Sequence, residues 1–133
     1  MPRIQKGKQV QLHLEKAIAA DPTKYSLHFA LGRWCMEVAK LSWMERKIAS
    51  TLFEAVPQAT YDDAIGHFDT CDHLKTEWRS CLYWKGKSLI ALKKYADAIK
   101  TLDSAAACAP IDSEDYVIEA DMKSMIGKYA SYR

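Results

Sequence analysis

The sequence predicts an all-α chain built from stacked helical hairpins, and three observations carry that expectation. Apolar residues recur at helical spacing in segment after segment, and no stretch alternates convincingly with the two-residue period of a strand. The run from Arg79 to Asp112 has the layout of a helix-turn-helix unit of about 34 residues, which cannot bury its apolar face alone. The same layout returns upstream with an interruption. At 133 residues one domain, 1–133, is the simplest organisation, and a composition of 49% hydrophobic and 27% charged residues indicates neither disorder nor a fibrous class.

Taken in order, residues 5–20 form a partial repeat. Val10, Leu14, Ala17 and Pro22 fit the second helix of a unit whose first helix is absent, so the chain reads as a piece of a longer protein or a shortened form of one. The unpaired helix offers a surface for self-association. Residues 25–78 are the next repeat: Leu31 and Gly32 match its first helix, beginning near Tyr25, and Tyr61, Ala64, Phe68 and Cys71 match its second. Between them lie about 20 residues too many for the ~34-residue period. This insert, at about 41–59, has helical character: Ser42 and Glu45 form a capping-box pattern, and Met44, Ile48 and Leu52 keep helical spacing until Pro57 ends it. It is read as an extra helix, or an extension of the first, from about Trp43 to Glu54.

Residues 79–112 are the complete repeat. Gly86 allows close helix approach, Ala98 and Ala105 are the small residues at the helix crossing, Leu102 fills the core and Pro110 opens the next helix. Residues 113–130 are the terminal cap, with Ile118, Met122, Met125, Ile126 and Tyr129 on one face of a helix starting near Ser113. The fold class expected is therefore a tetratricopeptide-repeat-like helical array with an extra helical insert.

A net charge of +2 argues against a bulk nucleic-acid binder, but the charge is unevenly placed. Arg3, Lys6, Lys8, Lys16, Lys24, Arg33, Lys40, Arg46 and Lys47 dominate the first half, and Asp103, Asp112, Glu114, Asp115, Glu119 and Asp121 the approach to the C-terminus. Such a one-sided field steers an acidic partner. Cys35, Cys71, Cys81 and Cys108 show no CxxC spacing and read as buried free thiols of a reducing compartment. With no apolar run of about 18 residues and no signal-peptide stretch, the chain is expected to be cytoplasmic, without a membrane anchor.

In arrays of this kind the first helix of each unit lines the concave face, and the residue after its glycine points into it. Those residues are Arg33 and Lys87, with Phe29 and Tyr83 one turn earlier. A cation beside an aromatic suits an extended acidic peptide, the cation pairing a carboxylate and the ring covering its neighbours. The alternative for these four is a solvated rim and part of the core. Because the Lys and Asn pair by which chaperone-adaptor repeats clamp a C-terminal carboxylate is missing, that partner class is disfavoured. Lys40, Arg46 and Lys47 form a second cluster beside Trp43, whose simpler role is to pack the insert onto the array. Lys93 and Lys94 occupy a turn, where exposed lysines are ordinary.

No enzyme or cofactor site is read. His67, Cys71 and His73 lack the second ligand cluster of a structural zinc site, and there is no GxGxxG, P-loop or GxSxG. The pairs Asp62, Asp63 and Glu114, Asp115 stand where helix starts favour carboxylates.

The segment FALGRWCMEVAKLSWMERKIASTLFEAVPQATYDDAI, from Phe29 to Ile65, resembles the regulator of microtubule dynamics family, which carries a similar LGRWC segment and a similar WxERKIAS insert. The resemblance extends more weakly through the downstream repeat. It implies association with microtubules or a spindle protein, a place at the cytoskeleton, spindle or spindle pole, and a role in chromosome segregation. Some relatives carry an N-terminal membrane anchor and act at organelle contacts or bind lipid, so a lipid-binding or lipid-transfer module is the alternative function.

Overall fold

The computed structural model describes residues 2–41, 43–52 and 58–133. Among these the chain is helical with no strand: α1 (Pro2–Ala20), α2 (Tyr25–Ala39), α3 (Trp43–Leu52), α4 (Tyr61–Leu74), α5 (Arg79–Ala91), α6 (Tyr95–Ala107), α7 (Ser113–Val117), α8 (Glu119–Tyr129) and a closing 3-10 turn, Ala130–Tyr132. Ser42, Pro57 and the Phe53–Glu54 end expected for the insert helix lie outside the described residues, as does the Trp43 side chain.

Two hairpins, α2 with α4 and α5 with α6, pack side by side through α4 and α5, with α1 against α2 and α8 against α6. Each hairpin closes around the same opposition of a glycine and a large side chain. A methyl group on Gly32 would sit 2.6 Å from the Phe68 ring, and one on Gly86 would sit 2.6 Å from a Leu102 methyl. Phe68 and Leu102 are fully buried, so neither can swing away, and a side chain at either glycine would force the helices apart. Ala98 and Ala105 on α6 are fully buried as well.

Leu31, Trp34, Cys35, Ala64, Phe68 and Trp78 belong to one apolar cluster, onto which Leu14 and Ile18 of α1 pack. Tyr83, Leu102, Ala105, Ile118 and Met122 form the second. On α1, Val10 and Leu12 stay largely exposed, so the helix docks by Leu14 and Ile18 and its apolar character is only partly used. On α3, Met44 and Ile48 are exposed too, although they follow helical spacing.

Local signals explain where the helices start and stop. At α4 the Thr60 hydroxyl accepts from Asp63 N at 3.1 Å while Asp63 accepts from Thr60 N at 2.9 Å, a reciprocal capping box. At the end of α5, Lys93 takes a left-handed φ of 61°, Lys93 N donates to Ile90 O and Lys94 N to Leu89 O, both at 2.9 Å. That is a Schellman turn with lysine where glycine is usual. The cap expected as one helix from Ser113 is interrupted at Ile118, although Ile118 N still donates to Glu114 O and Met122 N to Ile118 O. Tyr129 leaves the row of Met122 and Ile126 to stack on Tyr95 at 5.0 Å.

All four cysteines are free and buried. Burial pushes the Cys35 thiol up to about 12, and the adjoining Cys71 together with burial holds the Cys81 thiol protonated. Both stay thiols rather than nucleophilic thiolates at neutral pH. None of the described helices is long and apolar enough to cross a membrane.

Candidate functional site

Helix geometry sets Phe29 and Arg33 four apart on α2 and Tyr83 and Lys87 four apart on α5, so each pair shares a helix face. The two faces meet over a residue that belongs to neither pair, Trp84. The Arg33 guanidinium stands 4.2 Å from the centre of the Trp84 ring, and the Lys87 ammonium stands 4.9 Å from the same ring. Arg33 is also 5.9 Å from Phe29 and Lys87 5.4 Å from Tyr83. Trp84 thus has two cations over its electron-rich ring, an arrangement worth about 0.5–1 kcal/mol for each partly exposed cation.

The other two expected aromatics are committed inward. Phe29 lies 4.5 Å from Trp78 and 6.0 Å from Phe68 at the edge of the first core cluster. Tyr83 is 3% exposed, and its hydroxyl donates to Asp121. Burial, that hydrogen bond and the carboxylate's charge all push the Tyr83 phenol up, so it remains a neutral donor. The cations are half-open instead: the Arg33 and Lys87 side chains retain 43% and 33% of their exposure.

Neither cation stands without a counter-charge. Arg33 lies 3.6 Å from Glu114 and Lys87 3.8 Å from Asp121, so the segment α7–α8 lays its acids along the row of cations. Beneath them a buried polar clamp fixes that segment to α5. Asp115, fully buried, accepts from Ser80 N at 3.1 Å, from the Ser80 hydroxyl and from Ile111 N at 2.9 Å. It caps the start of α5, which has no side-chain cap of its own. In the opposite sense Arg79, also buried, donates to the carbonyls of Ala105, Ala106 and Cys108, closing the end of α6 where its positive charge meets the negative end of the helix dipole.

The cations of the insert lie apart from this row. Arg46 donates to Val38 O at 2.8 Å and so ties α3 to the last turn of α2. Lys40 pairs with Glu37 at 3.3 Å, and Lys47 is exposed. A surface cleft of about 810 Å³, lined by Asp72, Lys75, Glu77 and Cys108 among others, shares no residue with either cluster. Among the described residues no three His, Cys, Asp or Glu side chains are grouped to hold a metal.

Sequence reasoning missed Trp84, Arg79 and Asp115. Trp84 was legible, since it lies three residues before Lys87 on α5 and one after Tyr83. Asp115 stands at the start of a helix, where an acid already has a local explanation, and nothing local shows that it reaches α5.

The profile described as "Regulator of microtubule dynamics protein 1-3" matches residues 2–130. Regulator of microtubule dynamics protein 3 of Rattus norvegicus is 35% identical over 124 residues, 92% of this chain and 26% of the rat protein. Regulator of microtubule dynamics protein 1 of Caenorhabditis elegans is 32% identical over 126 residues, 95% of this chain and 56% of the nematode protein. The protein 3 of Xenopus laevis is 40% identical over 95 residues, 71% of this chain and 19% of the frog protein. The chain therefore spans about a quarter to a half of the length of the first two of these relatives.

Proposed function

The chain belongs to the regulator of microtubule dynamics family, and from that membership we propose that it is a non-enzymatic interaction module that binds microtubules or a spindle protein through an acid-accepting face. In this reading the hairpins are tetratricopeptide-like repeats of one domain, with the insert between α2 and α4, the two helices of the first. The protein works in the cytoplasm at the cytoskeleton, spindle or spindle pole and serves chromosome segregation. Arg33 and Lys87 contact the partner's carboxylates, and Trp84 with the edges of Phe29 and Tyr83 orients them. Lys40, Arg46 and Lys47 are a secondary contact.

The observation that supports this reading most is the pairing of Arg33 and Lys87 over Trp84. Two half-exposed cations on one rigid ring already hold carboxylates, Glu114 and Asp121, at ion-pair distance. Because α2 and α5 are anchored by core residues on their other faces, the cations are pre-positioned, which lowers the ordering cost of binding.

Co-sedimentation with microtubules, before and after removal of the acidic tubulin tails, tests the proposal. Binding that weakens with salt and drops on tail removal is expected. Absence of binding to intact microtubules, together with lipid retained through purification and seen by mass spectrometry, would support the lipid-carrying alternative instead.

A further inference from the structure

We infer that Glu114 and Asp121 are built-in competitors for the carboxylate sites of Arg33 and Lys87, so that the C-terminal segment sets how tightly this face takes an external acidic peptide. The inference rests on the proposed acid-accepting face and concerns its regulation. Three features carry it.

First, the acids occupy the positions an incoming carboxylate needs, 3.6 Å from Arg33 and 3.8 Å from Lys87. Second, they belong to a segment that cannot drift away. Asp115 is locked to Ser80 and Ile111, and Ile118 and Met122 are buried in the second core cluster. The effective concentration of these carboxylates at the cations is therefore high and constant. Third, the competing side chains are themselves open to solvent, Glu114 by 44% and Asp121 by 53%, so each can turn away into water without unpacking the helix that carries it. An incoming carboxylate displaces a side chain, not a helix. At Glu114 the exchange replaces one exposed ion pair by another, and at Asp121 the incoming carboxylate must also take over the hydrogen bond from the Tyr83 hydroxyl, so each exchange is small enough in energy to be reversible. Glu119 has no such role: its nearest cation besides Lys123 is Arg79, which is buried and committed to three carbonyls.

Fluorescence anisotropy with a labelled hexaglutamate peptide tests the inference on the intact chain. The double variant Glu114→Gln, Asp121→Asn keeps side-chain size and leaves an amide oxygen to accept from the Tyr83 hydroxyl. It is expected to bind the peptide about three- to tenfold more tightly than the unaltered chain, with an unchanged melting midpoint. A charge-matched control, Glu15→Gln with Asp62→Asn, alters exposed acids on α1 and α4, and should leave affinity within about twofold.

Equal gains from both double variants would overturn the competition and reduce it to net charge. So would an affinity that depends on Arg33 and Lys87 yet ignores Glu114 and Asp121, an outcome that leaves the acid-accepting face standing. Peptide binding that ignores all four residues, or no binding even by the Glu114→Gln, Asp121→Asn chain, would overturn the face itself and the competition with it.

Discussion

Asp115 and Ser80, 35 positions apart, are joined by two hydrogen bonds inside the fold: the Ser80 backbone N–H and hydroxyl both donate to one carboxylate oxygen of Asp115. The second oxygen accepts from Ile111 N at 2.9 Å. One buried side chain therefore starts α5 and fixes the loop before α7. Asp115→Ala leaves the buried Ser80 N–H and hydroxyl without an acceptor, at about 1–3 kcal/mol each before relaxation, and frees the partly exposed Ile111 N–H as well. The expected loss is about 3 kcal/mol or more by urea denaturation. Asp115→Asn keeps one oxygen and should lose roughly half as much. An unchanged denaturation midpoint for the alanine variant would mean that the carboxylate does not hold α5 and α7 together.

The glycines divide by what faces them. Gly32→Ala and Gly86→Ala each push a methyl into a buried side chain at 2.6 Å, and Ala98→Leu overpacks a fully buried position on α6. Each should lower stability by about 1–3 kcal/mol. At Gly66, inside α4, a methyl group would meet nothing within 4 Å. Gly66→Ala should raise stability by about 0.5–1 kcal/mol through helix propensity alone. The opposite signs are read in one thermal-melting series, and destabilisation by all four substitutions would refute this account of the packing.

Much of the architecture was legible in the sequence because its signals are local. Leu31 and Gly32 preceding Arg33, the small residues Ala98 and Ala105, and the apolar row of Ile118 and Met122 all follow from helical spacing within a dozen residues. The site was legible only in part. Arg33 and Lys87 stand out as cations after glycines, and helix spacing could pair Trp84 with Lys87, but only the packing of α2 against α5 brings Arg33 over the same ring. The buried clamp was hidden for the same reason. Arg79 and Asp115 look like an ordinary exposed cation and an ordinary helix-start acid until α6 and α7 fold back onto α5. Its spacing to Lys87 predicts Tyr83 in the concave groove as a partner-contacting ring, whereas the α7–α8 segment covers it and makes it a hydrogen-bonded core residue.

The pH dependence of stability has a histidine component. Burial, and next the neighbouring His28, lowers the pKa of His67 below the usual value of 6.5. The folded state thus favours the neutral ring, and the stability this contributes is complete above pH 6.5 and lost as pH falls through the folded value. Asp21 and Asp103 are held below the carboxylate value of 3.8, by hydrogen bonds from Thr23 and Arg133 respectively, so their contributions fade only in more acid solution. His67→Gln should flatten the fall in melting temperature between about pH 7.5 and 5.5. A slope identical to that of the unaltered chain would assign the dependence to other groups.

The central claim is that Arg33 and Lys87 form the acid-accepting face, and microtubule co-sedimentation of two double variants tests it most directly. Charge reversal is unsuitable, because a glutamate at either position would stand against Glu114 or Asp121 and disturb the cap. Arg33→Gln with Lys87→Gln removes the charges and leaves the helices intact. At physiological salt this variant should lose about tenfold or more in affinity, whereas Arg46→Gln with Lys47→Gln should lose at most about threefold. Equal losses would reduce the interaction to diffuse attraction, and a loss confined to the second variant would move the site to the insert. Full binding by the Arg33→Gln, Lys87→Gln chain, with its helicity and melting temperature preserved, would contradict the account.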